Sequence, residues 1–526
     1  MADILVYGGG FQAVAAAAKA ANNALTKSVL VVVPSPVPKL GDIATIGGQN
    51  YWDTRLWNGG FVQSGTFEYW YNQYGSFYNT DEMAALLLDN LAKYNNVEVL
   101  FQYDISAIST ASNPFRITSV TLKSIYRDAD GNIKWGSSTR VENVSVVVDA
   151  STEGRIARKV NSSVTTGRYD WPAKYLTEIE RNNQHVALQQ AATLMFKVKG
   201  VVSGNYSDMN FTTSSKGVKG CWGGNNTYKT NKAVVDFNNK YGPQGFMLKG
   251  INAAQNGLNS DEWWINAFLI FNVDGRANYR DIGTEFYPDY VLTGSKTTDE
   301  AWIAGREFLK NNAEFLNALR QFDGFSNVDF VCEDGYPVVG EVLYIRETVH
   351  MAIESTERTN QSENNYEVTT TEELLAGSNS TTGSDIVNYA SRIGLAYYNA
   401  DVHPYTYEDM LDVNGNYISG LESYRKMRPD LNLTSNSPDN PVYVPYLSLT
   451  TNYVANLLLP GYATGVSSFV WGEVRVFPNL CVLGDAVGIA AAYCINCGKY
   501  PLYLDSSDIA SIQTLLANSA GARLNK

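Results

Sequence analysis

Residues 3–7 are a short apolar run, residues 11–22 are rich in alanine, and Gly8-Gly9-Gly10-Phe11-Gln12-Ala13 joins them. The run reads as a strand and the alanine segment as a helix. Val29 to Val33 then reads as a buried strand, stopped by the breaker Pro34-Ser35-Pro36. Strand, helix and strand in this order make a βαβ unit, which requires a parallel sheet. The turn fits the G-x-G-x-x-G/A pattern of dinucleotide sites. Gly8 permits the tight turn, Gly10 lets the backbone approach a pyrophosphate, and Ala13 allows the helix to pack closely on the strand. The N–H groups at the helix start attract phosphate. A glycine turn that binds nothing is the alternative reading.

The unit accounts for little of a 526-residue chain, and two domains are expected. A hydrophobic share of 44% suits a globular protein and excludes a disordered one. The net charge, 40 − 53 = −13, gives an acidic surface that repels phosphate backbones, so no nucleic-acid partner is expected. Strand character begins at Asp3, leaving no room for a leader, and no apolar run reads as long enough to span a bilayer. A soluble, cytoplasmic protein without a membrane partner is the expectation. Five cysteines in so long a chain do not make a disulfide framework, and three histidines make a metal site improbable.

Further along, Asp81 to Ala92 predicts a helix capped by Thr80, and Val97 to Phe101 a strand. Two alternating runs, Phe115 to Ile125 and Arg140 to Val148, flank Asp130-Gly131 and predict a hairpin. Arg358 to Asn364 reads as a polar surface loop. Near the end, Leu480 to Leu483 reads as a strand, Gly484-Asp485 as a turn and residues 486–497 as a helix. Gly484, Asp485 and Gly488 are thus candidates for a second dinucleotide-type turn. There Asp485 either holds a ribityl hydroxyl or only caps its helix. Cys494-Ile495-Asn496-Cys497 lies late in that helix and reads as two buried small residues rather than a redox pair.

At these residues the chain resembles the FAD-dependent oxidoreductases of the glutathione-reductase-like superfamily. The blocks are Leu40-Gly41-Asp42-Ile43-Ala44-Thr45-Ile46-Gly47, Tyr344-Ile345-Arg346-Glu347-Thr348, Asp401-Val402-His403, Val444 to Leu449 with Asn456 to Gly461, and Val474 to Pro478, in the family's order. The resemblance implies an α/β fold: a Rossmann-like FAD-binding domain with a parallel sheet and a β-hairpin crossover, plus an inserted mixed α+β domain. The expected divisions are 1–165, an inserted 166–330, a mixed 331–440 and a returning 441–526. It implies FAD with its adenine end near Gly8, Gly10, Phe11, Gln12 and Ala13, and its ring system near Gly41, Thr45, Gly47 and Gly48. Backbone near Ile105 is a further expected contact. The implied reaction passes a hydride from an unidentified small-molecule substrate to the flavin.

Four positions depart from the family pattern. Val33 stands where an acid binds ribose, Asp42 where a second glycine is usual, Tyr462 where arginine follows Gly461, and Phe469 in a small polar region. They leave open a second reading, a non-catalytic assembly protein that keeps the fold. For the enzyme, His403 with Asp401 is the acid/base candidate because imidazole titrates near neutrality. Arg346 either binds an anionic substrate or pairs with Glu347 or another acid. The cluster Phe67 to Tyr78, centred on Trp70, reads as sugar-stacking surface, core segment or homo-oligomer interface, with the interface preferred.

Overall fold

The computed structural model describes residues 2–351, 390–431, 437–438 and 440–526; the stretch Arg358 to Asn364 lies outside them. In chain order the first part contains β1 (Ile4–Tyr7), α1 (Phe11–Asn23), β2 (Val29–Val33), α2 (Thr66–Tyr74), α3 (Thr80–Ala92) and β3 (Val97–Phe101). Then come β4 (Tyr103–Ser112), β5 (Phe115–Arg127), β6 (Ile133–Glu142) and β7 (Val146–Asp149). The middle of the chain supplies β8 (Phe196–Lys199), β9 (Met209–Thr213), β10 (Lys219–Gly223), β11 (Phe246–Gln255) and β12 (Glu262–Ile270). The last part returns with β13 (Leu457–Leu458), α4 (Ser468–Val474) and α5 (Phe477–Cys497).

The expected α/β fold is present. A five-stranded parallel sheet has the order β13-β7-β1-β2-β3, with Ile4 opposite Val29 and Val146. Its central strands are buried along their whole length, which is why they read as continuous rather than alternating apolar runs. An antiparallel sheet β9-β10-β11-β12-β8, extended by Asp329–Phe330, gathers a second hydrophobic core around Phe196, Phe268 and Phe315.

Several local expectations are corrected. The hairpin partner of β5 is β6, which begins at Ile133; Val146–Asp149 leaves it to enter the parallel sheet. Asn79, not Thr80, caps α3, accepting from the N–H groups of Asp81 and Glu82. Residues 480–483 are not a strand. They lie inside α5, one continuous 21-residue helix, and the returning parallel strand is β13. This helix is long and apolar enough to cross a membrane, contrary to the reading of the runs, but 78% of its apolar window is buried inside the protein. Trp70, Phe67 and Tyr78 are fully buried and belong to the core, while Tyr69 on the same helix as Trp70 is 40% exposed. Cys494 is buried as expected, whereas Cys497 is exposed.

The error at residues 480–483 has a physical cause. Gly484 and Gly488 are one helical turn apart and face α1. A Cβ at Gly484 would lie 2.4 Å from the Gln12 carbonyl oxygen, and one at Gly488 2.4 Å from that of Ala16. These glycines allow two small-residue helices to touch backbone to backbone, a need that mimics a glycine turn in sequence.

Candidate functional site

A cleft opens over the carboxyl ends of β1 and β2, lined there by Gly8, Gly9, Val33, Asp42 and Tyr462. Gly8 has φ of 135°, and a Cβ on it would lie 2.7 Å from the Ala150 oxygen, so only glycine fits this turn. Gly10 starts α1 without a capping side chain, and the first-turn residues Phe11 and Gln12 are buried. The N–H groups at an uncapped helix start call for an acceptor, and the phosphates of a dinucleotide provide one. The residues at this end therefore fit a dinucleotide pyrophosphate. Phe11 points away from the cleft and stacks on Trp52 at 4.6 Å; Gln12 donates to the Ala150 carbonyl and Ala13 packs in the core.

The Gly41–Gly48 loop lies against this turn, where the Gly41 N–H donates to the Gly9 carbonyl at 2.7 Å. Thr45 closes the loop by donating to the Leu40 carbonyl. Gly47 is packed on Ile43, and Gly48 lies under the Trp264 ring with φ of 89°. Asp42 and Ile43 are the loop residues that reach the cleft. Asp42 adopts a left-handed φ of 48° and faces the cleft, and burial pushes its carboxyl up to about 6. Val33 presents only hydrocarbon there. Tyr462 donates its hydroxyl to the Ile345 carbonyl at 2.7 Å.

Of the thirteen expected cofactor contacts Gly8 alone is among the residues that line the cleft, and Ile105, Gly484, Asp485 and Gly488 are engaged well away from it. Ile105 is fully buried, and its carbonyl accepts twice from Arg155, at 3.0 and 2.8 Å. Gly484 and Gly488 sit in the α1–α5 crossing. Asp485 does neither of the two jobs expected of it. Its carboxylate reaches from mid-α5 to the start of α2, accepting from the Thr66 N–H at 2.9 Å and the Thr66 hydroxyl at 2.5 Å.

A second, strongly polar chamber brings together the three catalytic candidates, His403, Asp401 and Arg346. Cleft and chamber share one wall. Along the extended segment 343–346, Leu343 and Ile345 line the cleft while Tyr344 and Arg346 line the chamber. Asp401 accepts from Arg475 at 2.8 Å, and His403 Nε2 lies 3.5 Å from Asp401. Burial raises the Asp401 pKa, but His403 and the guanidinium groups of Arg475 and Arg346 outweigh it and hold the carboxyl well below its usual range. Burial, then the charge of Arg346, pushes His403 down to about 3, so its imidazole is neutral at physiological pH. Arg346 does not pair with Glu347, which instead accepts from Ser468.

The sequence reading missed Asp53, Lys249 and Arg475, which also line the chamber. Burial, then Asp401, pushes Asp53 up to about 6; burial, then Arg346, pushes Lys249 down to about 7. Arg475 belongs to a block already singled out. Lys249 had one available signal, a lone cation inside the apolar run Met247 to Ile251.

A family model described as FAD dependent oxidoreductase matches residues 3–516. A search of curated proteins returns no match. Among solved structures, the myxobacterial chondrochloren halogenase CndH is 12% identical over 51% of this chain and 53% of its own, with a TM-score of 0.27. The p-nitrophenol 4-monooxygenase PnpA from Pseudomonas putida is 12% identical over 51% and 57%, with a TM-score of 0.23. A point mutant of the halogenase PltM in complex with FAD is 9% identical over 99% and 74%, with a TM-score of 0.34. The chain thus spans little more than half the length of the first two.

Proposed function

Because the chain belongs to the family of FAD dependent oxidoreductases, whose cofactor is FAD, we propose that it removes a hydride from a small polar substrate held in the chamber. The observation that carries this reading is the shared wall, whose successive residues face the dinucleotide cleft and the polar chamber in turn. Gly8, Gly9 and the start of α1 would hold the pyrophosphate. Bound FAD supplies the two-electron acceptor. The chain's own residues do the rest. His403, neutral and held a weak base by burial and Arg346, takes the substrate proton at its imidazole nitrogen, and Asp401, itself fixed by Arg475, orients the ring and offsets part of that penalty. Arg346 and Lys249 position the substrate.

The test is anaerobic mixing of flavin-loaded protein with a panel of small hydroxylated compounds, following bleaching of the flavin. Bleaching by a member of the panel that His403→Gln slows supports the reading. A flavin that no hydroxylated compound reduces, while dithionite does, counts against substrate oxidation.

Val33 and Asp42 in the cleft favour one rival, a non-catalytic protein of this fold. Neither can accept ribose or phosphate the way the family's acid and glycine do. Under that reading the purified protein takes up no FAD.

A further inference from the structure

The chamber contains more positive groups than its acids neutralise. Arg475 is paired with Asp401 at 2.8 Å and donates to the Tyr344 hydroxyl at 2.6 Å. Asp53 accepts from Gln49 at 2.9 Å and from Tyr398 at 3.4 Å. Arg346 and Lys249 remain. Arg346 is 1% exposed and its guanidinium lies 4.6 Å from the Tyr344 ring centroid; among the described residues it forms no ion pair, and Asp401 acts on it only at longer range. Lys249 donates only to the backbone carbonyls of Gly250 and Asn266, at 3.2 and 3.1 Å. Both cations converge on Asn266, since Arg346 Nη2 reaches its side-chain oxygen at 3.4 Å. Two like charges deep in one wall repel each other unless an anion lies between them.

The guanidinium geometry narrows the anion. Arg346 Nη1 is taken by the Ala191 carbonyl at 2.8 Å. Its Nε has no partner, and its Nη2 makes only the long contact to Asn266. The unused edge is thus the Nε–Nη2 pair, whose parallel N–H groups match the two oxygens of a planar carboxylate. A phosphate dianion fits less well because Asp53 and Asp401 line the same chamber.

We propose that the chamber recognises its substrate by a carboxylate, gripped side-on by Arg346 and from the flank by Lys249, so that the substrate is a small hydroxylated organic acid. This rests on the chamber being the substrate site of the proposed oxidoreductase. The flavin-to-protein absorbance ratio is measured first. Calorimetry on the purified protein then compares glycolate, inorganic phosphate and sorbitol. The expected result is that glycolate binds at least tenfold more tightly than phosphate and that sorbitol does not bind. Arg346→Gln and, independently, Lys249→Gln should each weaken glycolate by tenfold or more, and Arg346→Lys, which keeps the charge but not the edge, should fall between parent and Arg346→Gln. Equal binding of sorbitol, tighter binding of phosphate, absence of glycolate binding, or glycolate affinity untouched in the folded variants would overturn the proposal. Yellow protein without glycolate binding removes this inference and leaves the flavin reading. Colourless protein that binds glycolate through Arg346 does the reverse.

Discussion

Replacing Asp485 with asparagine should change how stability depends on pH while leaving flavin content alone. Asp485 is 2% exposed, and burial pushes its pKa from 3.8 up to about 6, opposed by Lys19 and the Thr66 bonds. A carboxyl whose native pKa is raised binds its proton more tightly in the folded state. It therefore contributes stability at low pH that is lost as pH rises from about 4 through about 6. Between about pH 5 and about pH 7.5 the loss is roughly one pKa unit, or about 1.4 kcal/mol. Asparagine does not titrate, so it carries no such slope. Urea unfolding of parent and variant at both pH values isolates the effect, because the other buried acids cancel in the difference. Relative to the parent, Asp485→Asn should gain about 1.4 kcal/mol on going to the higher pH. Asp485→Leu, which leaves the buried Thr66 N–H and hydroxyl without an acceptor, should lose roughly 3 kcal/mol at neutral pH. A parent–variant difference that does not move with pH would refute the buried-cap reasoning. Depleted flavin in a well-folded Asp485→Asn protein would restore the ribityl role.

Asp42→Gly relieves a left-handed aspartate and removes a charge facing the cleft; FAD affinity by titration should rise by roughly tenfold at pH above about 7 and change little near pH 5, where Asp42 is protonated. Gly488→Leu drives a side chain into the Ala16 carbonyl at the α1–α5 crossing, and thermal unfolding should show a loss of roughly 3 kcal/mol. His403→Gln should slow substrate reduction of the bound flavin by roughly a hundredfold or more, with the flavin-to-protein ratio unchanged. Glycolate affinity should fall as pH rises from about 5.5 to about 8. Over that range Asp53 gains its charge and Lys249 loses its proton, while Arg346 and Arg475 stay charged, Asp401 ionised and His403 neutral.

The parallel βαβ opening was legible because each of its strands is buried on both faces, leaving an unbroken apolar run on either side of a glycine turn. The end of the chain was misread because an apolar tetrad before a glycine looks the same in a strand as in a buried helix. Gly484 and Gly488 serve helix contact, and the true strand, Leu457–Leu458, is too short to show a pattern. Asp401 and His403 were visible as a block, but the chamber was not. It joins Asp53, Lys249, Arg346 and Arg475 from four distant parts of the chain, which meet only in the folded packing. Trp70 was hard to place because aromatic residues with interleaved amides suit a wet interface and a helix with one buried face equally well, and the structure puts its ring on the buried face.

The visible absorption spectrum of the purified protein, before and after incubation with excess FAD and gel filtration, bears most directly on the central claim. An oxidoreductase that holds FAD over the Gly8–Gly9 turn gives a yellow protein with about one flavin per chain, and its absorbance bleaches on anaerobic reduction. A folded, colourless protein that emerges from the column without flavin would contradict it.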